Sequence, residues 1–235
     1  MIIKNGDIRN IAFLTGACGT GKSTAMRHDI KDCYEHTKDT IVIIDFYGEC
    51  TELVKSLDGT EIVLPNKFNS FNPLPFDKKA RVISVNLRYV PDDLLLVAYI
   101  YAISYIKNNL QPKNTIRFYF EGLDYILRTQ ARTLESIKYF KKLFKHSKQN
   151  HEIIVFTGYD EDFIATMISP SDIVVLVFGM DEKYLNKLVR QDIISDITSA
   201  RLAPLINYEI NLPCQFKYIE FRGDYVAVVL CNEWK

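Results

Sequence analysis

The chain has 235 residues, of which 48% are hydrophobic and 25% are charged, as in an ordinary α/β domain with a sizeable core. Its 29 basic residues balance 29 acidic ones, so overall charge gives no argument for nucleic-acid binding, and only a local patch could provide one. The five cysteines are scattered and form no Cys-x-x-Cys or Cys/His cluster. This argues against a disulfide framework or a zinc site and favours a reducing cytoplasm.

The amino terminus turns polar within four residues, which is not the pattern of a signal peptide. The longest apolar run, from Leu94 to Ile106, falls short of the roughly 20 residues that a membrane-spanning helix needs. We therefore expect one domain over residues 1–235. We expect it in the cytoplasm, or held at the inner face of a membrane by protein partners.

The first elements in chain order surround a glycine-rich segment. Residues 2–9 contain Asn5-Gly6, a strong turn pair, and predict a short hairpin. An apolar strand-like run, Ile11 to Leu14, enters the glycine-rich segment, and a helix-compatible run, Thr24 to Tyr34, leaves it.

The segment between that strand and that helix fits the P-loop pattern G-x-x-x-x-G-K-[ST]. Backbone N–H groups of such a turn face phosphate groups, and the helix N-terminus adds the positive end of its dipole. Lys22 is then placed to reach the β- and γ-phosphates, and the Ser23 hydroxyl to bind Mg²⁺. The predicted nucleotide-binding residues are Gly16, Ala17, Cys18, Gly19, Thr20, Gly21, Lys22, Ser23 and Thr24.

The next stretch, Asp39 to Asp45, is a nearly continuous apolar run that ends in an aspartate. This is typical of a buried parallel strand that delivers a polar residue to its carboxyl end. Residues Phe46 to Leu57 follow as a turn, which contains Glu49, and a short helix. Ligands of open α/β sheets bind at the carboxyl edge of the strands, so this turn is predicted to lie near the ligand.

The rest of the chain alternates predicted strands and helices. The predicted strands are Thr60–Leu64, Arg81–Leu87, Asn114–Phe120, Glu152–Thr157 and Asp172–Phe178, and a final hairpin joins Gln215–Phe221 to Tyr225–Leu230. Helices are predicted from Pro91 to about Asn108, from Thr133 onward, and from Asp181 to Gln191. The first of these is apolar all round and is expected to be buried. The second carries a lysine series that favours a solvated face over a nucleic-acid contact.

The strand from Asn114 to Phe120 ends in Glu121-Gly122. It has the position and shape of a Walker B strand, whose acidic end holds the Mg²⁺ water shell. Glu121 is therefore predicted to bind Mg²⁺ together with Ser23.

This order of elements is that of a RecA-like P-loop NTPase: a mainly parallel sheet flanked by helices, here with a C-terminal β-hairpin. Several segments of the sequence also resemble a particular family of these proteins. Ile41-Val-Ile-Ile-Asp-Phe-Tyr-Gly-Glu49, Leu53-Val-Lys-Ser-Leu57, Ile62-Val-Leu64 and Asn72-Pro73 resemble, in this order, the conjugation and type IV secretion ATPases of VirB-four type in the HerA–FtsK superfamily. Those proteins typically carry an Asp-Pro-x-Gly-Glu turn, Leu-Val-Lys-x-Leu-Gly-Gly, an Ile-x-Leu strand and an Asn-Pro loop.

Later segments are similar to the same family, namely Val82 to Asn108, Arg117 to Leu127 and Phe156 to Val177, so the resemblance spans nearly the whole chain. The family's long N-terminal domain is missing, and only Phe76 to Arg81 stands where it carries a helical insertion. The resemblance therefore implies a motor core trimmed by nature or by engineering.

Two departures concern catalysis. The family usually ends its Walker B strand in Asp-Glu, the second residue being the base that activates water, but Gly122 stands at that second position. The family's Thr-Gln pair, whose glutamine resembles a sensor, appears as Thr157-Gly158. Losing a catalytic carboxylate typically removes about 10²–10⁴-fold of rate. Glu121 itself and Asp124 are the two candidates to replace this base, and the sequence does not choose between them.

The resemblance implies an ATP-binding motor core that uses Mg²⁺ and hydrolyses ATP weakly. Lys22 would act on the phosphates, Glu121 would complete the metal site, and Asp45 and Glu49 would line the γ-phosphate side. It also implies a homo-oligomer, in one form a hexameric ring, that works with a membrane-bound secretion or conjugation apparatus through protein partners.

In such rings a neighbouring subunit supplies an arginine finger. Arg190 and Arg201 are candidates, although surface ion pairs are the commoner role for such residues. Two alternatives stay open. One is a hydrolysis-deficient structural or regulatory paralogue that uses ATP to fix a conformation. The other is a DNA-translocating or packaging ATPase of the same superfamily, which the neutral charge balance disfavours.

Overall fold

A computed structural model of the chain describes residues 1–16, 19–67, 69, 72–111, 114–123, 125–126, 134–158, 168, 172–178, 186, 216–222 and 225–231. The strands in these ranges are β1 (Ile11–Gly16), β2 (Thr40–Asp45), β3 (Thr60–Val63), β4 (Val82–Asn86), β5 (Ile116–Phe120), β6 (Glu152–Thr157), β7 (Ile173–Phe178), β8 (Phe216–Arg222) and β9 (Tyr225–Cys231). The helices are α1 (Lys22–His36), α2 (Thr51–Ser56), a 3₁₀ turn (Asp92–Leu94), α3 (Leu95–Asn109) and α4 (Leu134–Ser147).

The described strands form one sheet in the order β3-β4-β2-β5-β6-β1-β7-β8-β9. Strands β1 to β7 are parallel, and β8 and β9 add an antiparallel hairpin at one edge. The strand β1 therefore lies in the interior of the sheet, between β6 and β7. Its carboxyl end faces the same edge as those of β2 and β5.

The core has two halves, one on each face of the parallel sheet. Successive residues of a strand point to opposite faces, so Val42 and Ile44 pack on the face covered by α3 and α4, whereas Ile41 and Ile43 pack on the face covered by α1 and α2. All four are fully buried. Strands covered on both faces are apolar at nearly every position, so they can be recognised in the sequence. The predicted strand positions are confirmed.

A charged residue lies within one of these buried strands. Arg117 of β5 is fully buried, and its Nε donates to Asp39 Oδ2 at 2.8 Å. Its two terminal nitrogens donate to the Ile3 carbonyl oxygen and to Asn5 Oδ1, each at 2.7 Å. This network fastens residues 3–5 to the amino edge of the sheet, opposite the edge where β1 enters the loop.

The structure corrects two of the predicted elements. A turn forms at Asn5-Gly6, where the Asp7 amide donates to the Lys4 carbonyl at 3.1 Å, but no strand pairs across it. The hairpin prediction for residues 2–9 was therefore wrong, because Arg117 holds this segment by side-chain contacts instead of a β ladder.

The helix α3 was expected to be buried all round, and this was also wrong. Its buried residues follow one stripe: Leu95, Ala98, Tyr99, Ala102, Ile103 and Ile106. The opposite side is half-buried, and Val97 is 49% exposed. The extended segment before β4 covers part of it, through Phe76 against Tyr105.

The predicted helix Asp181–Gln191 lies almost wholly outside the described residues. Within the described part of the chain, no helix is both long enough and apolar enough to cross a membrane.

Candidate nucleotide site

The glycine-rich turn connects the end of β1 to the start of α1. Gly16, the last residue of β1, has φ +132° and lies against the backbone of β7. A Cβ built on Gly16 would stand 2.0 Å from the Phe178 carbonyl oxygen, so this position accepts only glycine. Gly21 directly precedes the first turn of α1. Ala17 and Cys18, both predicted to bind nucleotide, lie outside the described residues.

The first residues of α1 carry the polar side chains of the turn. Lys22 is only 6% exposed, and its Nζ donates to the Gly16 carbonyl oxygen at 2.7 Å. Its ammonium group therefore lies within the curve of the turn rather than in solvent. Ser23 and Thr24 are half-buried in the first turn of the helix. Amides at a helix N-terminus are oriented to bind an anion.

Two carboxylates meet at the carboxyl edge, because β2 and β5 are parallel neighbours with Ile44 opposite Phe120. Asp45 and Glu121 follow these paired residues, and the Glu121 amide donates to the Ile44 carbonyl at 3.1 Å. Both side chains are buried. The sequence predicted that each strand would deliver an acid to this edge, and the sheet brings the two acids together.

Asp45 organises the turn that follows β2. Its Oδ1 accepts the amides of Gly48 at 2.8 Å and Glu49 at 3.2 Å, and its Oδ2 accepts that of Cys50 at 2.8 Å. A buried carboxylate with three backbone donors is fixed in place. Asp45 thus lies at the predicted edge, where its described contacts position the turn.

Glu121 is in the opposite situation. It is 1% exposed, and neither carboxylate oxygen completes a hydrogen bond with a described residue. Burial, followed by the neighbouring Asp45 and then Glu49, raises the pKa of Glu121 to about 8, although the nearby Ser23 side chain lowers it. A buried carboxylate without a partner is costly, so this position fits a cation that would neutralise it. The oxygen atoms of Ser23 and Glu121 are ligands that Mg²⁺ accepts.

Glu49 is the exposed acid of this edge. Its side chain is 53% exposed, and its Oε2 lies 3.1 Å from Nη1 of Arg27, which projects from α1. Because Glu49 also acts on the pKa of Glu121, its charge reaches the buried acid. Glu49 therefore stands between solvent and the buried pair, joined to the helix that begins at the glycine-rich turn.

The position after Glu121 is sterically closed. Gly122 has φ +65°, and a Cβ built there would stand 2.7 to 2.9 Å from three carbon atoms of Phe46. The Phe46 ring is itself held between Tyr47, with ring centroids 4.6 Å apart, and Tyr125, at 5.3 Å. Both the backbone and the aromatic cluster exclude a side chain, so no acid can occupy this position in this conformation.

Gly158 stands at the position of the expected sensor glutamine and has no side chain. The Gly158 amide, directly after β6, donates to the Leu14 carbonyl of β1 at 3.1 Å. Asp124, Arg190 and Arg201, the other candidates for catalysis, lie outside the described residues.

No family model and no curated protein sequence matches the chain. Solved structures do. VirB4 of Thermoanaerobacter pseudethanolicus has a TM-score of 0.67 at 11% identity, covering 94% of this chain and 88% of that one. The genome packaging NTPase B204 of Sulfolobus turreted icosahedral virus 2 has a TM-score of 0.58 in complex with AMP, at 13% identity, covering 94% and 97% of the two chains. Its complex with ATP-gammaS has a TM-score of 0.56 at 12% identity, covering 94% and 96%.

The chain has the RecA-like P-loop NTPase fold. The predicted fold class is confirmed, and so is the resemblance to the VirB-four-type motor core, which at these identities concerns the fold. The predicted P-loop lies where β1 leads into α1, and Glu121, predicted to end the Walker B strand, directly follows β5.

Sequence reasoning missed three residues of the site. Phe46 closes the position of Gly122, Arg27 pairs with Glu49, and the thiol of Cys50 lies beside the two buried acids. Arg27 had a weak signal, because it follows the P-loop lysine on the same helix. Neither Phe46 nor Cys50 carries a pattern that distinguishes it from an ordinary core residue.

Proposed function

We propose that the chain is an ATP-binding motor core that binds ATP with Mg²⁺ and hydrolyses it weakly. The observation that carries the proposal is the buried, unpartnered carboxylate of Glu121, which lies beside Ser23 at the edge reached by the P-loop. Ser23 and Glu121 would hold the metal or its water shell. When bound, Mg²⁺ would neutralise charge on the β- and γ-phosphates.

The P-loop residues would hold the nucleotide. Lys22 would exchange its bond to the Gly16 carbonyl for a phosphate oxygen, and the amides from Gly19 to Thr24 would face the other oxygens. The structures of B204 hold AMP and ATP-gammaS, which supports the choice of an adenine nucleotide for this chain.

Nucleotide binding is tested by titrating a fluorescent ATP derivative with Mg²⁺ and, separately, with a chelator. We expect Lys22→Ala to weaken binding by at least about tenfold, which corresponds to about 1.4 kcal/mol. Lys31→Ala is the matched control, since Lys31 is an exposed lysine of the same helix. Equal affinities of the wild type and of Lys22→Ala would refute a P-loop role for this segment.

We further propose Glu49 as the water-activating group. Gly122 cannot carry an acid, Asp45 is buried and held in place by three amides, and Glu121 faces the metal position. Glu49 has a solvent-accessible carboxylate at the same edge, and Arg27 fixes its direction at 3.1 Å. Arg27 is here a positioning residue for Glu49.

This assignment is tested by steady-state Mg-ATP hydrolysis at protein concentrations that allow assembly. Glu49→Gln keeps the size of the side chain but removes the base, so we expect kcat to fall by about 10²–10⁴-fold with little change in ATP affinity. Glu52→Gln is the matched control, because Glu52 is an exposed glutamate of α2 that pairs with Lys55 at 2.8 Å. Similar kcat values for the Glu49 and Glu52 variants would exclude Glu49 as the base.

The closed position of Gly122 favours a second candidate function, an ATP-held switch that turns over nucleotide very slowly. Here ATP would fix a conformation or an assembly interface rather than drive repeated movement. Tight ATP binding without turnover above the Lys22→Ala background would favour the switch. Turnover that disappears in Lys22→Ala would favour the motor.

The proposed partners are based on the similarity to VirB4 and B204. A homo-oligomer, with a hexameric ring as one form, and contact with a membrane secretion or conjugation apparatus through protein partners are proposed from VirB4, and DNA as cargo from B204. Sedimentation with and without Mg-ATP tests the first point. A monomer in both conditions would count against a ring motor.

A further inference from the structure

The third ligand-bearing side chain at this edge is a thiol. Cys50 directly precedes α2, is fully buried, and belongs to the turn that Asp45 holds through the Cys50 amide. The Cys50 Sγ and one carboxylate oxygen each of Asp45 and Glu121 all lie within 4.8 Å of one another. A sulfur and two carboxylates thus converge on a single small volume at the Walker B end.

A buried acid without a partner faces the same volume. Glu121 is 1% exposed, and neither of its carboxyl oxygens completes a hydrogen bond with a described residue. Hydrophobic packing alone would explain a buried Cys50, but it would not leave an acid unsatisfied beside the thiol. Asp45 Oδ2 accepts one amide and therefore keeps a lone pair for a further ligand.

The chemistry of the three donors selects the ion. Mg²⁺ takes oxygen ligands in a strict octahedron, so the sulfur of Cys50 adds nothing to Mg²⁺ binding. Zinc-class ions accept a thiolate together with carboxylates, and their reactive sites use three protein ligands and leave a fourth position open. We propose that Cys50, Asp45 and Glu121 form a site for a thiophilic divalent ion of the zinc class, which displaces Mg²⁺ from the Walker B end.

This inference rests on the proposed function in placing Mg²⁺ at Glu121. Binding requires deprotonated ligands, so any proton on the Cys50 thiol or on the Glu121 carboxyl passes to solvent as the ion enters. The bound ion takes Glu121 away from Mg²⁺ and holds the turn that carries Glu49. Zinc-class ions therefore inhibit whatever Mg-ATP turnover the protein has.

The test uses Co²⁺ as a spectroscopic substitute for Zn²⁺, in the whole chain and without nucleotide. A cobalt–thiolate bond gives a near-ultraviolet charge-transfer band that oxygen ligands do not give. We expect the band in the wild type, its loss on addition of Zn²⁺, and its absence in Cys50→Ser. Cys33→Ser, which alters another buried cysteine outside this cluster of three ligand atoms, is expected to keep the band. Calorimetry should show Zn²⁺ affinity lowered by at least about tenfold in Cys50→Ser.

Two further measurements distinguish loss of the metal site from loss of the fold. Glu121→Gln retains the thiol, and we expect it to weaken Zn²⁺ binding as Cys50→Ser does, with thermal unfolding of both variants followed in parallel. Excess Mg²⁺ should raise the apparent Kd for Zn²⁺. A band that survives in Cys50→Ser, an unchanged Zn²⁺ affinity in Glu121→Gln, or indifference to Mg²⁺ would overturn the proposal. The cobalt band and the Zn²⁺ affinities are measured without nucleotide, so they are independent of ATP binding and hydrolysis, whereas the Mg²⁺ competition also tests the shared placement of Mg²⁺ at Glu121.

Discussion

The closed position of Gly122 makes a quantitative prediction about replacing this residue. Alanine at Gly122 must adopt φ +65°, a left-handed conformation that costs a residue with a Cβ about 1–2 kcal/mol. Its Cβ would also stand 2.7 Å from the Phe46 ring, and overpacking of this kind costs about 1–3 kcal/mol. We therefore expect Gly122→Ala to lower the free energy of unfolding by about 2–5 kcal/mol in urea denaturation.

Gly6 provides the matched control. It has φ +91°, but a Cβ there would have no atom within 4 Å, so Gly6→Ala should lose only the conformational part, about 1–2 kcal/mol. Combining Gly122→Ala with Phe46→Ala should recover the steric part as a coupling energy of about 0.5–3 kcal/mol. In the hydrolysis assay, Gly122→Glu should fail to increase kcat. Equal losses at Gly6 and Gly122, or a rise in kcat with Gly122→Glu, would refute the reasoning.

Two other predictions concern buried charges. Arg117→Met leaves Asp39 buried without its partner, so we expect the free energy of unfolding to fall by about 3–5 kcal/mol, against less than about 0.5 kcal/mol for the exposed Arg88→Met. Similar losses in the two variants would contradict the role of the buried pair. Burial raises the pKa of Glu152, so the folded state holds this proton more tightly than the unfolded chain, and the stability it contributes is lost as pH rises from about 4.3 through the raised pKa. The stability of Glu152→Gln relative to wild type should therefore increase with pH over this window, and parallel urea-denaturation profiles would exclude the effect.

The strands were predictable because burial on both faces imposes a nearly continuous apolar run. Thr40–Asp45 shows this most clearly, since every residue is buried and the run stops at the edge that needs a polar group. The sequence also predicted that Asp45 and Glu121 would lie at one edge of the sheet. It could not predict that their carboxylate oxygens would lie within 4.8 Å of each other, because this proximity depends on β2 pairing with β5 across a long separation in the chain.

Interactions that join distant segments account for the wrong predictions. Asn5-Gly6 has the composition of a hairpin turn, but Arg117, more than a hundred residues later, provides hydrogen bonds that replace the ladder. The apolar residues of α3 suggested complete burial, but the sheet covers only one side of the helix. In both cases the sequence pattern correctly indicated the local conformation of the segment. Contacts with distant residues determined how the segment is paired or buried.

The turn after β2 surrounds the position where the family that the sequence resembles usually carries its Walker B base. Phe46 of this turn fills the space where a side chain at Gly122 would stand, so the turn itself keeps that position closed. The same turn carries Glu49 and Cys50, and the amides of both are bound by Asp45. A substitution that moves the turn should therefore alter the closed position, the proposed base and the proposed soft-metal ligand together. Under both proposals, water activation and metal choice would depend on the turn after β2, and the end of β5 would contribute Glu121.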